Sequence, residues 1–274
     1  LKLAKVFKEN KQFTLFSILA LVVVGVAVFA PQIAPYDPLD AVMLESLQAP
    51  SSAHLFGTDK LGRDLLSRVI FGTRTSLIMT LCLVAVIFVI GTFLGVIAGY
   101  FGGIVDAVIM RIADMMISFP GLVLAIAIAG MLGPNLVNAV ISIAAVSWTK
   151  YARLARSMVL KVKKSLYIEA AVVNGTKTWK ILLVHVLPNM VTQMVVTAAA
   201  DIGTMMLELA SLSFLGFGAT APTPEWGLML NEGRTYMAKA PWLMIYPGIA
   251  IVICVVVFNM LGDSIRDVLD PRQD

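Results

Sequence analysis

Tyr167-Ile168-Glu169-Ala170-Ala171-Val172-Val173-Asn174-Gly175, with Leu187-Pro188 twelve residues past the glycine, is a short insert between long apolar runs, flanked by basic residues. It reads E-A-A-x-x-x-G, and the leucine–proline pair opens the apolar run that follows. What surrounds the insert decides the fold class. The chain is 59% hydrophobic and 14% charged, against about 25% charged in ordinary soluble domains. Its mean hydropathy is +0.88. Several uncharged stretches approach the roughly 20 residues that cross a bilayer as a helix. The chain therefore reads as an all-α, polytopic membrane protein. Its net charge of +4 needs no nucleic-acid partner, because basic loops follow from membrane topology.

Six spans are expected, at about 13–30, 77–98, 107–132, 135–149, 189–214 and 242–261. The first follows Lys2, Lys5, Lys8 and Lys11 and is expected to be retained, since Pro31 beside Val28-Phe29-Ala30 hinders signal cleavage. Phe119-Pro120-Gly121 breaks the third run, where the proline removes a backbone donor and should kink the helix. The fourth has a short apolar core and is expected to continue as helix into the basic stretch beyond it. In between lie a cytoplasmic amino terminus (1–12), an outer loop (31–76), a core of spans two to six (77–262) holding a cytoplasmic loop (151–187), and a cytoplasmic tail (263–274).

Charge bias sets the orientation. With the amino terminus inside, fifteen Lys and Arg residues fall on the cytoplasmic side and six (Lys60, Arg63, Arg68, Arg74, Arg234, Lys239) outside. That bias obeys the positive-inside rule and places both termini and the Glu169 insert in the cytoplasm. Within the insert, Ser165 is positioned to cap a helix running to about Asn174. Glu169 favours its positive end, and Ile168, Ala171 and Val172 form an i, i+3, i+4 apolar stripe. Gly175 either ends the helix in a left-handed conformation or permits close backbone approach.

Read with its surroundings, the insert resembles the cytoplasmic coupling loop of permease subunits of bacterial ATP-binding-cassette importers. Four further stretches resemble the "C" permease of the dipeptide, oligopeptide and nickel branch: Ile33-Ala34-Pro35-Tyr36-Asp37-Pro38, His54 to Asp64 (with Gly57-Thr58-Asp59-Lys60-Leu61-Gly62-Arg63-Asp64), Ser213 to Gly227, and Asn259-Met260-Leu261-Gly262-Asp263 closing on Leu269-Asp270-Pro271. One departure from the coupling-loop pattern is visible: His185 stands where isoleucine is expected, two residues before Leu187. The resemblance implies the type I importer permease fold. It also implies a non-catalytic role, in which Tyr167, Ile168, Glu169, Ala170, Ala171, Val172, Gly175, Leu187 and Pro188 couple to an ATPase. The implied partners are a homologous second permease, two ATPase subunits that bind ATP and magnesium, an external binding protein and membrane lipid. The implied setting is the bacterial cytoplasmic membrane. Implied substrates are di- or oligopeptides, with nickel or a metal–chelator complex as the alternative.

Asp201 and Glu208 stand seven residues apart on one face of the fifth span. Intramembrane carboxylates line pathways or relay protons by default, and hydrogen bonds to Thr197, Thr204, Ser211 or neighbouring helices are the structural alternative. Met205 is a candidate pathway residue with them, although methionines such as Met110, Met115, Met116 and Met206 more often fill gaps between helices. Asp114 is expected to pair with Arg111 at i, i+3. Gly91, Gly95 and Gly99 predict close helix packing. Cys82 and Cys254 are expected to behave as small buried hydrophobes, and no metal site is expected. Asp37, Asp40, Glu45, Asp59, Lys60, Arg63 and Asp64 offer outer-loop charges to a binding protein. No G-x-x-x-x-G-K-[S/T] phosphate loop occurs, so the chain carries no cofactor site of its own and energy must come from a partner. A proton-coupled secondary transporter using Asp201 and Glu208 is the competing class, but such folds usually show internal repeats. A substrate-sensing membrane scaffold has no supporting motif.

Overall fold

Nine principal helices carry the architecture of the computed structural model, which describes residues 10–269. Lys2, Lys5, Lys8, Asp270, Pro271 and Arg272 lie outside the described residues. The helices are α1 (Lys11–Val28), α2 (Leu65–Phe101), α3 (Gly103–Ile117), α4 (Gly121–Leu132), α5 (Leu136–Lys163), α6 (Leu166–Val173), α7 (Leu187–Phe214), α8 (Trp226–Gly233) and α9 (Trp242–Leu269). Single turns at Ala30–Ile33, Met43–Glu45 and Arg234–Tyr236 punctuate the loops.

Four helical stretches are long and apolar enough to cross a bilayer: α1, α2, the continuous stretch Thr178–Phe214 that contains α7, and α9. The third expected span is a broken one. Its halves, α3 and α4, meet at 93° around Phe119-Pro120-Gly121, so counting the bent pair as one span gives five. The proline does more than kink this run: Ser118 closes α3 with its N–H on Asp114, and α4 starts afresh after Pro120. The fourth expected run continues as helix to Lys163, but its C-terminal half is too charged to pass as a span by composition.

The outer loop is shorter than expected, because α2 begins at Leu65 and not near Leu77. Asp64 explains this start, since its carboxylate accepts from the Ser67 N–H at 2.7 Å and caps the first turn. With 37 residues, α2 is about 55 Å long and overshoots the roughly 30 Å hydrocarbon layer. Helix α9 likewise runs past Gly262 to Leu269, through the stretch expected to begin the tail.

Gly91, Gly95 and Gly99 bring α2 against α5. A Cβ on Gly91 would fall 2.5 Å from the Trp148 carbonyl, and one on Gly99 would fall 2.8 Å from the Val159 Cβ. The expected small-residue seam is therefore the main helix contact of the bundle. Three cations spaced three apart along α5 stitch it to its other neighbours. Lys150 Nζ lies 2.6 Å from Asp201, Arg153 lies 2.5 Å from Asp114, and Arg156 lies 2.5 Å from Asp106. Asp114 thus pairs across helices, and the expected local pair with Arg111 is not made. The planar Arg153 guanidinium reaches it across the α3–α5 contact.

Before α7 the backbone widens into a π-helical segment, Ile181–Val186. Pro188 accounts for it, because its ring would collide with the carbonyl one α-turn earlier and it has no N–H to donate. Asn189 Nδ2 donates to the His185 carbonyl at 2.6 Å, satisfying an acceptor left over by that widening. The two cysteines are free; Cys254 is buried as expected, whereas Cys82 is exposed on the outer face of α2.

Candidate functional site

Two regions gather the candidate residues: the Glu169 insert and a cavity beside α7. Helix α6 has only eight residues, too few to persist alone in water, so its place depends on packing. Ile168 supplies that packing. It is 2% exposed and joins Val159, Ile181, Val186 and Met190 in the main apolar cluster, with Ala171 packed against its edge. Of the stripe Ile168, Ala171 and Val172, Ile168 therefore faces the chain's own core and Ala171 partly does, whereas Val172 stays 55% exposed. A marginal helix must first bury one face against its own protein. Outward with Val172 lie Leu166, 83% exposed, and Val173, 86% exposed. Glu169 and Ala170 lie between them on the same face by helical spacing.

The ends of α6 follow backbone rules. Ser165 occupies the N-cap position, but its hydroxyl donates to the Val162 carbonyl at 2.5 Å and does not cap α6. Gly175 has φ +69°, and a Cβ there would meet nothing within 4 Å. Of its two expected roles in this chain, the left-handed turn is thus the one present. Gly175 N–H donates to Val172 and Thr176 N–H to Ala171, both at 3.0 Å. That pair of bonds is the Schellman closure of a helix. Tyr167 sits beside the Leu187-Pro188 segment, with its hydroxyl accepting from Asn189 Nδ2 at 3.3 Å and its ring 6.3 Å from that of His185.

The second region is a cavity of about 380 Å³, walled by Asp201, Met205 and Glu208 of α7 together with Lys150, Tyr151 and Val146 of α5. The break between α3 and α4 contributes Phe119 and Gly121, and Met116 adds a further apolar surface. All three residues singled out on α7 line this one space. Asp201 is buried and held by Lys150 Nζ at 2.6 Å and the Tyr151 hydroxyl at 2.8 Å. Of the expected structural partners, a neighbouring helix is thus the one that supplies them, while Thr197 and Ser211 donate to carbonyls of their own helix. Glu208, by contrast, makes no hydrogen bond or ion pair among the described residues.

Ahead of α2, the charged side chains of the G-T-D-x-L-G-R-D stretch are largely buried. The side chains of Arg63 and Arg68 are each 1% exposed. Arg63 Nε lies 2.6 Å from Asp59, Arg68 Nε lies 3.5 Å from Asp59, and Glu232 of α8 accepts from both guanidinium groups at 3.4 Å. Asp64 spans His54, at 2.9 Å, and the start of α2. These side chains join the loop to α2 and α8; they are not a display of charge. Only Asp37, Asp40, Glu45 and Lys60 keep substantial exposure. Trp226, at 1% exposed, seats α8 by donating its indole N–H to the Val69 carbonyl at 3.0 Å. Burial pushes the Glu225 carboxyl above its ordinary range, opposed by the Gly227 and Leu228 N–H groups it accepts. Glu232 and Lys150 gave no local signal in the sequence, because their partners lie far along the chain. Among the described residues no group of three or more His, Cys, Asp or Glu side chains is arranged to hold a metal ion.

A polytopic helical bundle with a broken span, a carboxylate-lined cavity and a short helix packed on one end defines a membrane transport component. The chain belongs to the binding-protein-dependent transport system inner membrane component family, whose model matches residues 91–274. The N-terminal transmembrane domain of oligopeptide transport permease C matches residues 2–50. It is 42% identical to the dipeptide transport system permease protein DppC of Alkalihalophilus pseudofirmus, over 98% of this chain and 88% of that protein. It is 45% identical to the glutathione transport system permease protein GsiD of Pectobacterium atrosepticum, over 92% of this chain and 84% of that protein. The fold is similar to that of the inward-facing MetNI methionine ABC transporter, with a TM-score of 0.59 at 20% identity, over 74% of this chain and 97% of that chain. The chain is thus a permease subunit of an ABC importer, the non-catalytic membrane component of such a system.

Proposed function

We propose that this subunit forms the pathway of an ATP-driven importer of di- and oligopeptides in the bacterial cytoplasmic membrane. It works with a homologous second permease, two ATPase subunits that bind ATP and magnesium, and an external binding protein. The peptide reading rests on the relatives named for dipeptide and glutathione transport. Six spans with both termini inside are supported by the fifteen-to-six charge bias and by the order of α1, α2, the broken α3–α4 pair, α5, α7 and α9.

The observation that carries the coupling role is the geometry of α6. It is anchored from behind by Ile168, closed by Gly175, and presents Leu166, Glu169, Ala170 and Val173 outward. An apolar helix face with one carboxylate fits a groove on a partner. ATP-driven closure of the ATPases moves this helix, and its packing through Ile168 on α5 and the π segment passes the movement to the pathway helices. The test is a charge on that face. Val173→Asp should leave membrane insertion and pairing with the second permease unchanged while lowering ATPase co-purification and uptake together. Wild-type co-purification and uptake in Val173→Asp would refute docking through this face.

A further inference from the structure

The cavity beside α7 has an uneven charge arrangement that the coupling role does not use. Asp201 is compensated twice over, by Lys150 Nζ and by the Tyr151 hydroxyl. Glu208 lines the same cavity with no hydrogen bond or ion pair among the described residues. Two carboxylates therefore face one ammonium, and the surplus negative charge lies at Glu208. Lys150 is not exhausted by its partner, for an ammonium has three donors, Asp201 takes one, and the Lys150 side chain is 60% exposed. Asp201 and Glu208 are seven residues apart on one helix, which is about 10 Å along its axis. That distance corresponds to roughly three residues of extended chain. The rest of the wall is mixed, with Met205, Met116, Ile87 and Val146 beside Thr149 and Thr204.

We propose that this cavity is a binding site for short zwitterionic peptides, with Glu208 receiving the terminal ammonium and Lys150 the terminal carboxylate. This rests on the peptide-import reading and goes beyond it by assigning recognition to the permease itself, at two named side chains. The bound length is set by their separation. Side-chain tolerance follows from the flexible methionine surfaces between them, which adapt to different shapes. An occupied Lys150 shares its donors between Asp201 and the ligand, so the interhelical link is kept while the cavity is loaded.

The experiment uses the assembled complex of both permeases and the ATPase subunits in nanodiscs, without binding protein. Trialanine, N-acetyl-trialanine and trialanine amide serve as probes in saturation-transfer NMR. Trialanine should show a signal that N-acetylation and C-amidation each lower several-fold. In Glu208→Gln the penalty for N-acetylation should vanish while that for amidation remains. Glu208→Asp, which keeps the charge, should restore part of the discrimination. The Lys239→Gln variant, at an exposed position away from the cavity, should behave as wild type. Equal signals from trialanine and N-acetyl-trialanine in the wild-type complex would overturn the site. Unchanged discrimination in Glu208→Gln would overturn the assignment to Glu208. Uptake of radiolabelled trialanine through the binding protein is measured in parallel. If the wild-type complex imports no peptide at all, the peptide reading and the site both fall, whereas import with equal probe signals removes only the site.

Discussion

Gly175 offers the sharpest test of how helix α6 is built. Its φ of +69° lies in the left-handed region, and a Cβ there would meet no atom of this chain within 4 Å. The cost of a substitution therefore arises in the backbone, not from a clash with the rest of this subunit. An alanine in that region costs about 1–2 kcal/mol, an asparagine less, and a β-branched valine more. If the backbone relaxes instead, the two closing bonds from Gly175 and Thr176 are lost, each worth about 1 kcal/mol. Either route removes about 1–3 kcal/mol from a helix of eight residues that has little stability of its own. The expected order of ATP-driven uptake in proteoliposomes is Gly175 wild type, then Gly175→Asn, then Gly175→Ala, then Gly175→Val, with Val abolishing uptake. The thermal midpoint of the permease pair should fall by no more than a few degrees in any of them, because the main bundle is untouched. ATPase co-purification should track uptake, or hydrolysis should persist uncoupled from it. Full uptake by Gly175→Val would refute the argument. Equal loss in Asn, Ala and Val would show that the glycine is needed for close approach of the ATPase and not for its φ.

Glu169→Ala should weaken ATPase co-purification and uptake less than Gly175→Val does, since it removes one exposed carboxylate and leaves the helix closed; pull-down and uptake assays on the same membranes measure it. Single cysteines placed beside Lys163 and beside Lys60, in a background with Cys82 and Cys254 replaced, should react with impermeant maleimide from opposite sides of the membrane, and labelling of both from outside would break the six-span topology. Asp59→Asn should destabilise the outer platform by about 3 kcal/mol, the cost of leaving two buried guanidinium groups short of a counter-charge, read as a lowered thermal midpoint of the purified permease pair. Asp201→Asn should leave ATPase co-purification unchanged, because α6 does not contact that residue, while uptake falls; unaltered uptake would remove Asp201 from the pathway.

The sequence by itself determined that this is a polytopic helical membrane protein and where its long apolar runs lie, because apolar length is a property of contiguous chain. The position of α6 was legible for the same reason. A cap-position serine, a helical run and a glycine suited to positive φ are local signals, and Leu166–Val173 with Gly175 follows them. Which of its sides is buried was not legible. An apolar stripe at i, i+3 packs equally well inward or outward, and only the neighbouring surface of Val159, Ile181 and Val186 turned Ile168 toward the core. Pairing between charges was decided by tertiary structure alone. Lys150 meets Asp201 across 51 positions, and Arg63 meets Glu232 across 169. Local spacing favoured Arg111 for Asp114, yet Arg153 reaches it from another helix. Charges counted as loop residues, such as Arg63 and Arg68, became buried cross-links for the same reason. A salt bridge depends on the distance between side chains after the helices have packed, and that distance is set by the glycine seam of α2 on α5 and by the break at Pro120.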